Sequence, residues 1–591
     1  MLRHKKNTIT LLFLTACLLQ TLAFLFCCGQ ASLHLFSLSA KICATGFMIL
    51  LPLFLLPRRW RWLQIVWMAT VAMVMIANVW YIRVFEDFMS PANVLLLTTV
   101  DSTITSGAFA VMRWYDFLIL VPAAMCAVAY ALMPKAAAHV PFGWRIRLGG
   151  CVICLVVTGA GVIKLHRDYY LYLQAANYVH SLDDYFPIVN ENLSRRQQVN
   201  VYGFAVAQTI ELYKTILGAT KLDEDDLRLI AEYATRKTGD LSRRPSGRNM
   251  ILIVVESLNS FAVTWQHNGQ YAMPFTAGLL SDSTAVTFTE MISIAGEARS
   301  ADGQFMYHTG LFPLRGEPFV VTDASGPYPS LQRQLPDSYT SVEIIGEDAT
   351  LWHHKETSGA YGFDRLFSDI GACADSAACQ DEVILNRAAE IADSLPQPFY
   401  IMISTLTMHD PYIAPVNSPT WISHVDSLDS RDANYLERCH MFDRALAAFV
   451  EQLKQRGLWK NTIVAISSDH EARRSCLSPL MNQGHQFFAV LNSGQTGSHS
   501  GKPISQIDVY PTLLDALGMA SSATWPGFGT SVLDGRASGY ALLPDGTVAG
   551  TATDTVAVRR QRQQWHLSEK LIRARNKSAV VRGLNLPDRK Q

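Results

Sequence analysis

The sequence predicts a five-helix transmembrane bundle followed by an α/β extracytoplasmic domain with a mostly parallel sheet. Three observations lead there. Five apolar stretches crowd the first 164 residues. The basic residues of that part fall in alternate loops. From residue 249 onward, buried-type strands alternate with amphipathic helices.

The apolar stretches cover residues 8–28, 35–56, 62–82, 115–133 and 148–163, and Lys41 interrupts only the second. Each is near the roughly 20 residues a helix needs to cross a ~30 Å hydrocarbon core. The fifth is the shortest. A mean hydropathy of +0.13 over the whole chain agrees with membrane segments. The first stretch has the look of a signal peptide, but no A-x-A site follows it and four more spans do, so it reads as an uncleaved helix. Arg3, Lys5 and Lys6 precede the first span, Arg58, Arg59 and Arg61 join the second to the third, and Lys135, Arg145 and Arg147 join the fourth to the fifth. The intervening loops are poor in bases, so the N-terminus is cytoplasmic and everything after Lys164 lies outside the cytoplasm. Trp60, Trp62, Trp80, Tyr81, Trp114 and Tyr115 form the expected aromatic belt.

The 591 residues carry 50 bases and 50 acids. A zero net charge speaks against a nucleic-acid partner. A chain 49% hydrophobic and 17% charged is not disordered as a whole. The balance is a sum of unlike parts: 13 bases against 4 acids over 1–164, 27 against 43 over 165–545, and 10 against 3 over 546–591. Almost no charge lies inside the spans, which disfavours a transporter. Four domains follow: transmembrane (1–164), a helical juxtamembrane linker (165–247), a catalytic domain (248–545) and a basic C-terminal tail (546–591). The linker holds an amphipathic helix over 222–237, with acids in its first turn and bases in its last.

Seven of the eleven cysteines lie in or beside the spans. Cys373, Cys379, Cys439 and Cys476 remain, an even number for an oxidising compartment. Four cysteines allow three pairings. The short loop favours Cys373–Cys379, with free thiols as the alternative.

Strands are predicted at 249–260, an apolar run ending abruptly in polar residues, at 398–407 and at 462–470, with a shorter or edge strand at 341–348. Helices are predicted at 382–395 and 432–457. Ligands on parallel sheets bind beyond the carboxyl ends of the strands. Glu256 ends the first apolar run, His409 follows the second, and Asp469 and His470 end the third. Two carboxylates and an imidazole suit one divalent metal ion, manganese or zinc, with magnesium as a third option. Taken singly, each residue also suits a structural role, as a helix cap or a satisfied core histidine. Ser300, in GEARSADGQF, is the candidate nucleophile. Its hydroxyl is inert near pH 7 unless a metal or base activates it. The alternative is a helix N-cap with Asp302 and Gln304 in the first turn.

NMILIVVESLNS, GEARSADGQFMYHTGLFPL, TMHDPY, SSDH and SQIDVYPTLLDALG together resemble the sulfatase/alkaline-phosphatase superfamily. More narrowly, they resemble its membrane-bound lipoteichoic acid synthase, or phosphoglycerol transferase, branch. The resemblance covers about 249–519 and extends to the five-span N-terminus. It implies a sulfatase-like fold in a bacterial inner membrane, one metal held by Glu256, Ser300, Asp469 and His470, and Ser300 as nucleophile in the place of a threonine. Arg299 stands for a lysine beside the nucleophile. His409 matches a pocket histidine suited to protonating the leaving alcohol, and Trp352 matches a pocket tryptophan. His354 replaces an arginine that grips the headgroup phosphate, and Ile345 replaces a histidine. The implied reaction moves a phosphoglycerol-type headgroup from a phospholipid, phosphatidylglycerol foremost, to a cell-envelope glycan or lipid acceptor. The rivals are phosphoethanolamine transfer, a membrane-anchored phosphodiesterase or phosphatase, and an inactive binding protein. Sulfate ester hydrolysis is disfavoured, because Ser300 is followed by neither the proline nor the arginine of a C/S-x-P-x-R motif.

Overall fold

The computed structural model describes residues 2–587 apart from 30–36, 58–59, 86–87, 90, 92–110, 134–141, 176–181, 183–184, 186–192, 194, 218–220, 236–246, 297, 372–379, 411, 413–419, 473–476, 480, 482–484, 496, 534–537 and 553. The chain divides into two compact units, Met1–Gly218 and Ala219–Gln591. The division falls inside the expected 165–247 linker, so the linker is shared between the two.

In the first unit, Thr8–Cys27, Leu38–Leu55, Leu63–Arg83, Trp114–Leu132 and Trp144–Ala175 are helical segments long and apolar enough to cross a membrane. The chain is thus a membrane protein. The fifth helix differs from expectation. It runs 32 residues, ~48 Å at 1.5 Å per residue, well past the ~30 Å core. Lys164 and Asp168, one turn apart, pair along this extension. Its buried stripe begins Gly150, Cys154, Thr158, Gly161. A Cβ on Gly161 would meet the Ala40 carbonyl oxygen at 2.8 Å and the Ala44 nitrogen at 2.9 Å, so a small residue sets how closely the second and fifth helices approach. Lys41 is buried and donates to Asn200 Oδ1 at 2.9 Å, and Arg83 pairs with Asp116 at 2.6 Å.

The second unit is built on a nine-stranded sheet. Its strands are β1 (Asn249–Val255), β2 (Ala285–Ile292), β3 (Thr340–Ile344), β4 (Arg365–Phe367), β5 (Phe399–Ser404), β6 (Thr462–Ser468), β7 (Gln486–Leu491), β8 (Ser498–Ser500) and β9 (Ile504–Ser505). The order is β8-β2-β7-β6-β1-β5-β3-β4, with β9 also against β2. Among the described strands, β7 alone runs antiparallel to its neighbours. Central β1 is Asn-Met-Ile-Leu-Ile-Val-Val, buried throughout. That is the apolar run expected of a strand covered on both faces. β3 is short, as expected, but lies inside the sheet, paired with both β5 and β4. Fully buried Ser341 and Glu343 interrupt its apolar pattern, which gives it the polar look of an edge. The sequence reading did not name β2 or β7 as strands.

Helices cover both faces. α1 (Glu224–Ala234) starts at Asp223, which accepts from Asp226 N in a capping box. α2 (Ser300–Thr309) ends at left-handed Gly310. α3 (Asp381–Ser394) and α4 (Ser430–Gln455) fall within two residues of their predicted bounds. Asp429 caps α4 through the Arg431 and Asp432 amides.

The segment expected as a basic tail is packed instead. α5 (Thr555–Arg573) and α6 (Ser578–Gly583) belong to the folded unit. Val558, Trp565, Leu571 and Ile572 recur at helical spacing and are buried. The Trp565 ring stacks on Phe312 at 4.6 Å, and its Nε1 donates to the Pro313 carbonyl at 2.8 Å. The bases of this segment find acids on the main fold: Arg573 pairs with Glu317, Lys577 with Asp323 and Lys570 with Asp226. Cys439 is a buried free thiol, while Cys373, Cys379 and Cys476 lie outside the described residues.

Candidate active site

Strand register assembles the site. β1 and β6 run parallel with Val255 beside Ser468. Glu256 and Asp469 therefore leave adjacent strands side by side, and His470 follows at once. On the other flank Val254 lies beside Ser404, and Thr405 Oγ1 accepts from the Glu256 amide at 3.0 Å. The strand ends thus fix the carboxylates before any side chain is placed.

Glu256, Asp469 and His470 are 3%, 2% and 5% exposed, and one ligand atom of each lies within 4.8 Å of the others. Ser300 Oγ donates to Glu256 Oε2 at 3.1 Å and lies 3.2 Å from His470 Nε2. His470 Nε2 is 3.4 Å from Glu256 Oε1. All four predicted ligands meet at one point. Burial and the nearby Asp469 charge raise Glu256 above the usual carboxylate range. Burial pushes Asp469 up to about 6. Two carboxylates buried together with an imidazole and a hydroxyl repel one another as anions, and a divalent cation of moderate hardness relieves that repulsion. The donor set therefore fits one metal ion.

Ser300 opens α2, whose first-turn amides face any anion held at the serine. Arg299 caps this helix at φ +43°, a left-handed backbone that non-glycine residues rarely adopt. Ser257, Trp352 and His353, with φ of 52°, 50° and 58°, add three more such positions. The four lie beside or among the predicted site residues, as strained backbone often does at functional sites. Asp302 holds the approach loop, accepting from the Gly296 and Ala298 amides at 2.9 and 3.1 Å. Burial pushes its carboxyl up to about 8. Gly303 is required by packing, because a Cβ there would sit 2.5 Å from the Asp469 carbonyl oxygen.

His409 is exposed, with Nδ1 2.6 Å from its neighbour's carbonyl, Asp410 O. It is close enough for its charge to oppose the rise of Glu256. Trp352 is half-buried against the core. His354 is buried, with Nε2 2.9 Å from Glu347 Oε1. Burial works to lower its pKa, but Glu347 and Glu343 together hold it above the ordinary imidazole value.

Sequence reasoning missed the supporting residues. Ser257 donates its hydroxyl to Glu256 Oε1 at 2.5 Å and its amide to Asp469 Oδ1 at 2.9 Å. Gln304 bonds Ser404. The Tyr307 hydroxyl bonds the Ser468 carbonyl, and Gln506 bonds the Asp469 carbonyl. Gln506 sits in SQIDVYP, a motif already singled out, but nothing in its spacing pointed to the sheet end.

A parallel sheet whose central strands deliver a buried acid–histidine cluster to a serine at a helix N-terminus defines the sulfatase/alkaline-phosphatase class. The chain resembles that superfamily, and its lipoteichoic acid synthase-like branch in particular: the Sulfatase family model matches residues 248–519 and the lipoteichoic acid synthase N-terminal domain model matches residues 1–174. It is an enzyme transferring phosphate-containing groups. Lipoteichoic acid synthase 2 of Bacillus subtilis (strain 168) is 22% identical over 476 residues, 76% of this chain and 71% of that protein. Lipoteichoic acid synthase of Staphylococcus aureus (strain USA300) is 22% identical over 78% of this chain and 73% of its own. The solved lipooligosaccharide phosphoethanolamine transferase A of Neisseria meningitidis, an integral membrane protein, shares the fold with a TM-score of 0.50. It is 13% identical, over 88% of this chain and 96% of that one.

Proposed function

We propose that the protein moves a phosphoglycerol-type headgroup from a phospholipid, phosphatidylglycerol foremost, onto a cell-envelope glycan or lipid alcohol. The reaction releases diacylglycerol through a covalent Ser300 intermediate. The observation that carries this reading is the Ser300 hydroxyl, held 3.1 Å from Glu256 and 3.2 Å from His470 in a buried cluster at a helix N-terminus.

Glu256, Ser300, Asp469 and His470 would hold the metal, manganese or zinc foremost. When bound, the metal supplies positive charge that acidifies the serine hydroxyl and offsets phosphate charge. The chain's own groups do the rest. Glu256 accepts the Ser300 hydrogen bond and so orients the oxygen for attack. Ser300 Oγ, its proton given up to solvent, bonds to phosphorus as the bond to the diacylglycerol oxygen breaks, and His409 gives that oxygen a proton. In the second half-reaction His409 takes the proton of the acceptor hydroxyl, whose oxygen displaces Ser300 from phosphorus. The α2 amides and Arg299 face the phosphoryl oxygens. Trp352 packs the headgroup, and His354, held by Glu347, shapes the same pocket. The alternating basic loops orient the membrane unit with the catalytic unit outside the cytoplasm, where a lipid phosphate at the surface of a bacterial inner membrane is within reach.

Phosphoethanolamine transfer is the second reading, favoured by one observation. Glu343 and Glu347 surround His354 where the family places a phosphate-gripping arginine, and an acidic surround suits an amine. Vesicles of phosphatidylglycerol or phosphatidylethanolamine, assayed for diacylglycerol release by the purified full chain, separate the two. Release from phosphatidylglycerol alone is expected. Release only from phosphatidylethanolamine transfers the conclusion to the second reading.

A further inference from the structure

Three aromatic rings outside the metal cluster share nearly one orientation. Trp265 and Trp421 have ring centroids 5.7 Å apart and planes 9° apart. His267 lies 6.4 Å from each, tilted 13° and 19°. Both tryptophans pack against the hydrophobic core, and Trp265, His267 and Trp421 are each half-buried. His267 sits on a two-strand hairpin, Gln266–His267 against Gln270–Tyr271. Its turn, Asn268-Gly269, has both residues at positive φ, 50° and 80°, the tight hairpin form that Asn-Gly favours. The platform is therefore held from two sides before any ligand arrives.

Its place in the fold ties it to the chemistry. Trp265 follows Glu256 by nine residues, and Trp421 follows His409 by twelve. Thr420 and Ser423, flanking Trp421, both donate to Glu437 Oε1, at 3.0 and 3.1 Å from their amides. Glu437 lies within the first turns of α4, which runs back from the carboxyl ends of the strands toward the start of β6. Two residues before Glu437, the Tyr435 hydroxyl of the same helix donates to the Ser257 carbonyl at 2.9 Å, so this part of α4 lies against the loop that follows Glu256.

We propose that Trp265, His267 and Trp421 form a carbohydrate-binding platform on which pyranose rings of a glycan acceptor stack. Flat, nearly parallel aromatic faces match the axial C–H faces of sugar rings, and exposed Gln266, Asn268 and Gln270 beside them supply amide donors and acceptors for hydroxyls. The charge pattern argues for a neutral sugar over a membrane surface. No lysine or arginine occurs from 249 to 298 or from 388 to 430, whereas a segment that docks on anionic lipid carries them. The proposal rests on the reading of the chain as a transferase with a glycan acceptor, and it narrows that acceptor class.

The test uses the detergent-solubilised full chain. Binding of malto-, cello-, laminari- and chito-hexaose is followed by tryptophan fluorescence and calorimetry, and diacylglycerol release from phosphatidylglycerol vesicles is measured on the same samples. Saturable binding of at least one hexaose is expected. Trp265→Ala and Trp421→Ala should each weaken it about tenfold or more, the scale of losing a stacking face. Trp265→Phe should restore much of it, and Ser300→Ala should bind like the wild type. Absence of binding to every hexaose, or undiminished binding in both alanine variants at unchanged melting temperature, overturns the platform. So does loss of vesicle association in place of sugar binding. Failure of diacylglycerol release by the wild type counts instead against the transferase reading and leaves the binding measurement to stand alone.

Discussion

Ser300, Glu256, Asp469 and His470 are separated by up to 214 positions yet meet within hydrogen-bonding reach. They were legible because each ends an apolar run or opens a helix, and a parallel sheet sends such positions to one edge. Their support was not legible, since the Ser257, Thr405 and Gln506 side chains reach the site through hydrogen bonds that no local pattern encodes. Ser300→Ala should abolish diacylglycerol release by about a thousandfold or more, as nucleophile deletions do elsewhere, with an unchanged melting temperature. Metal analysis of the wild type should find about one ion per chain, lost in Asp469→Ala; a metal-free wild type with intact ligands contradicts the mechanism. His354 makes a pH-dependent prediction. Its folded pKa is raised by Glu347 and Glu343, so the stability it contributes is full below the unfolded value of ~6.5 and is lost as pH rises through the folded one. Denaturant titrations should show His354→Ala costing more at pH 6 than at pH 9. An equal cost at both removes the ion pair from the account.

At the scale of elements, uninterrupted apolar runs made β1, β5 and β6 readable, and α3 and α4 followed from their amphipathic spacing. β3 reads as a shorter or an edge strand; it is short, and although buried Ser341 and Glu343 break its apolar pattern, it has neighbours on both sides. The fifth span read short because Lys164 marks the end of its apolar run, whereas the helix continues through an i,i+4 ion pair. The C-terminal helices were the largest surprise. Counting charge hid an amphipathic stripe whose bases are matched by Glu317, Asp323 and Asp226. Trp565→Ala should lower unfolding stability of the catalytic unit by about 3–5 kcal/mol, the usual cost of deleting a large buried aromatic. Calorimetry would register a change under 1 kcal/mol if the segment were a solvated tail.

For the whole molecule, the uneven charge acquires a physical basis. The basic surplus of the first part is mostly loop residues between spans, the acidic surplus belongs to the catalytic unit, and the C-terminal bases are partly spent on its acids. A membrane unit and a phosphotransferase unit on one chain suit a substrate whose reacting phosphate lies at a bilayer surface. The central claim is the covalent serine. Mass spectrometry of the Ser300 peptide, after the full chain is incubated with mixed phosphatidylglycerol and phosphatidylethanolamine vesicles and quenched in acid, reads it directly. The account predicts a phosphoglycerol adduct on Ser300 that disappears when acceptor is added. An unmodified Ser300 during active diacylglycerol release, or an adduct on another residue, would contradict it.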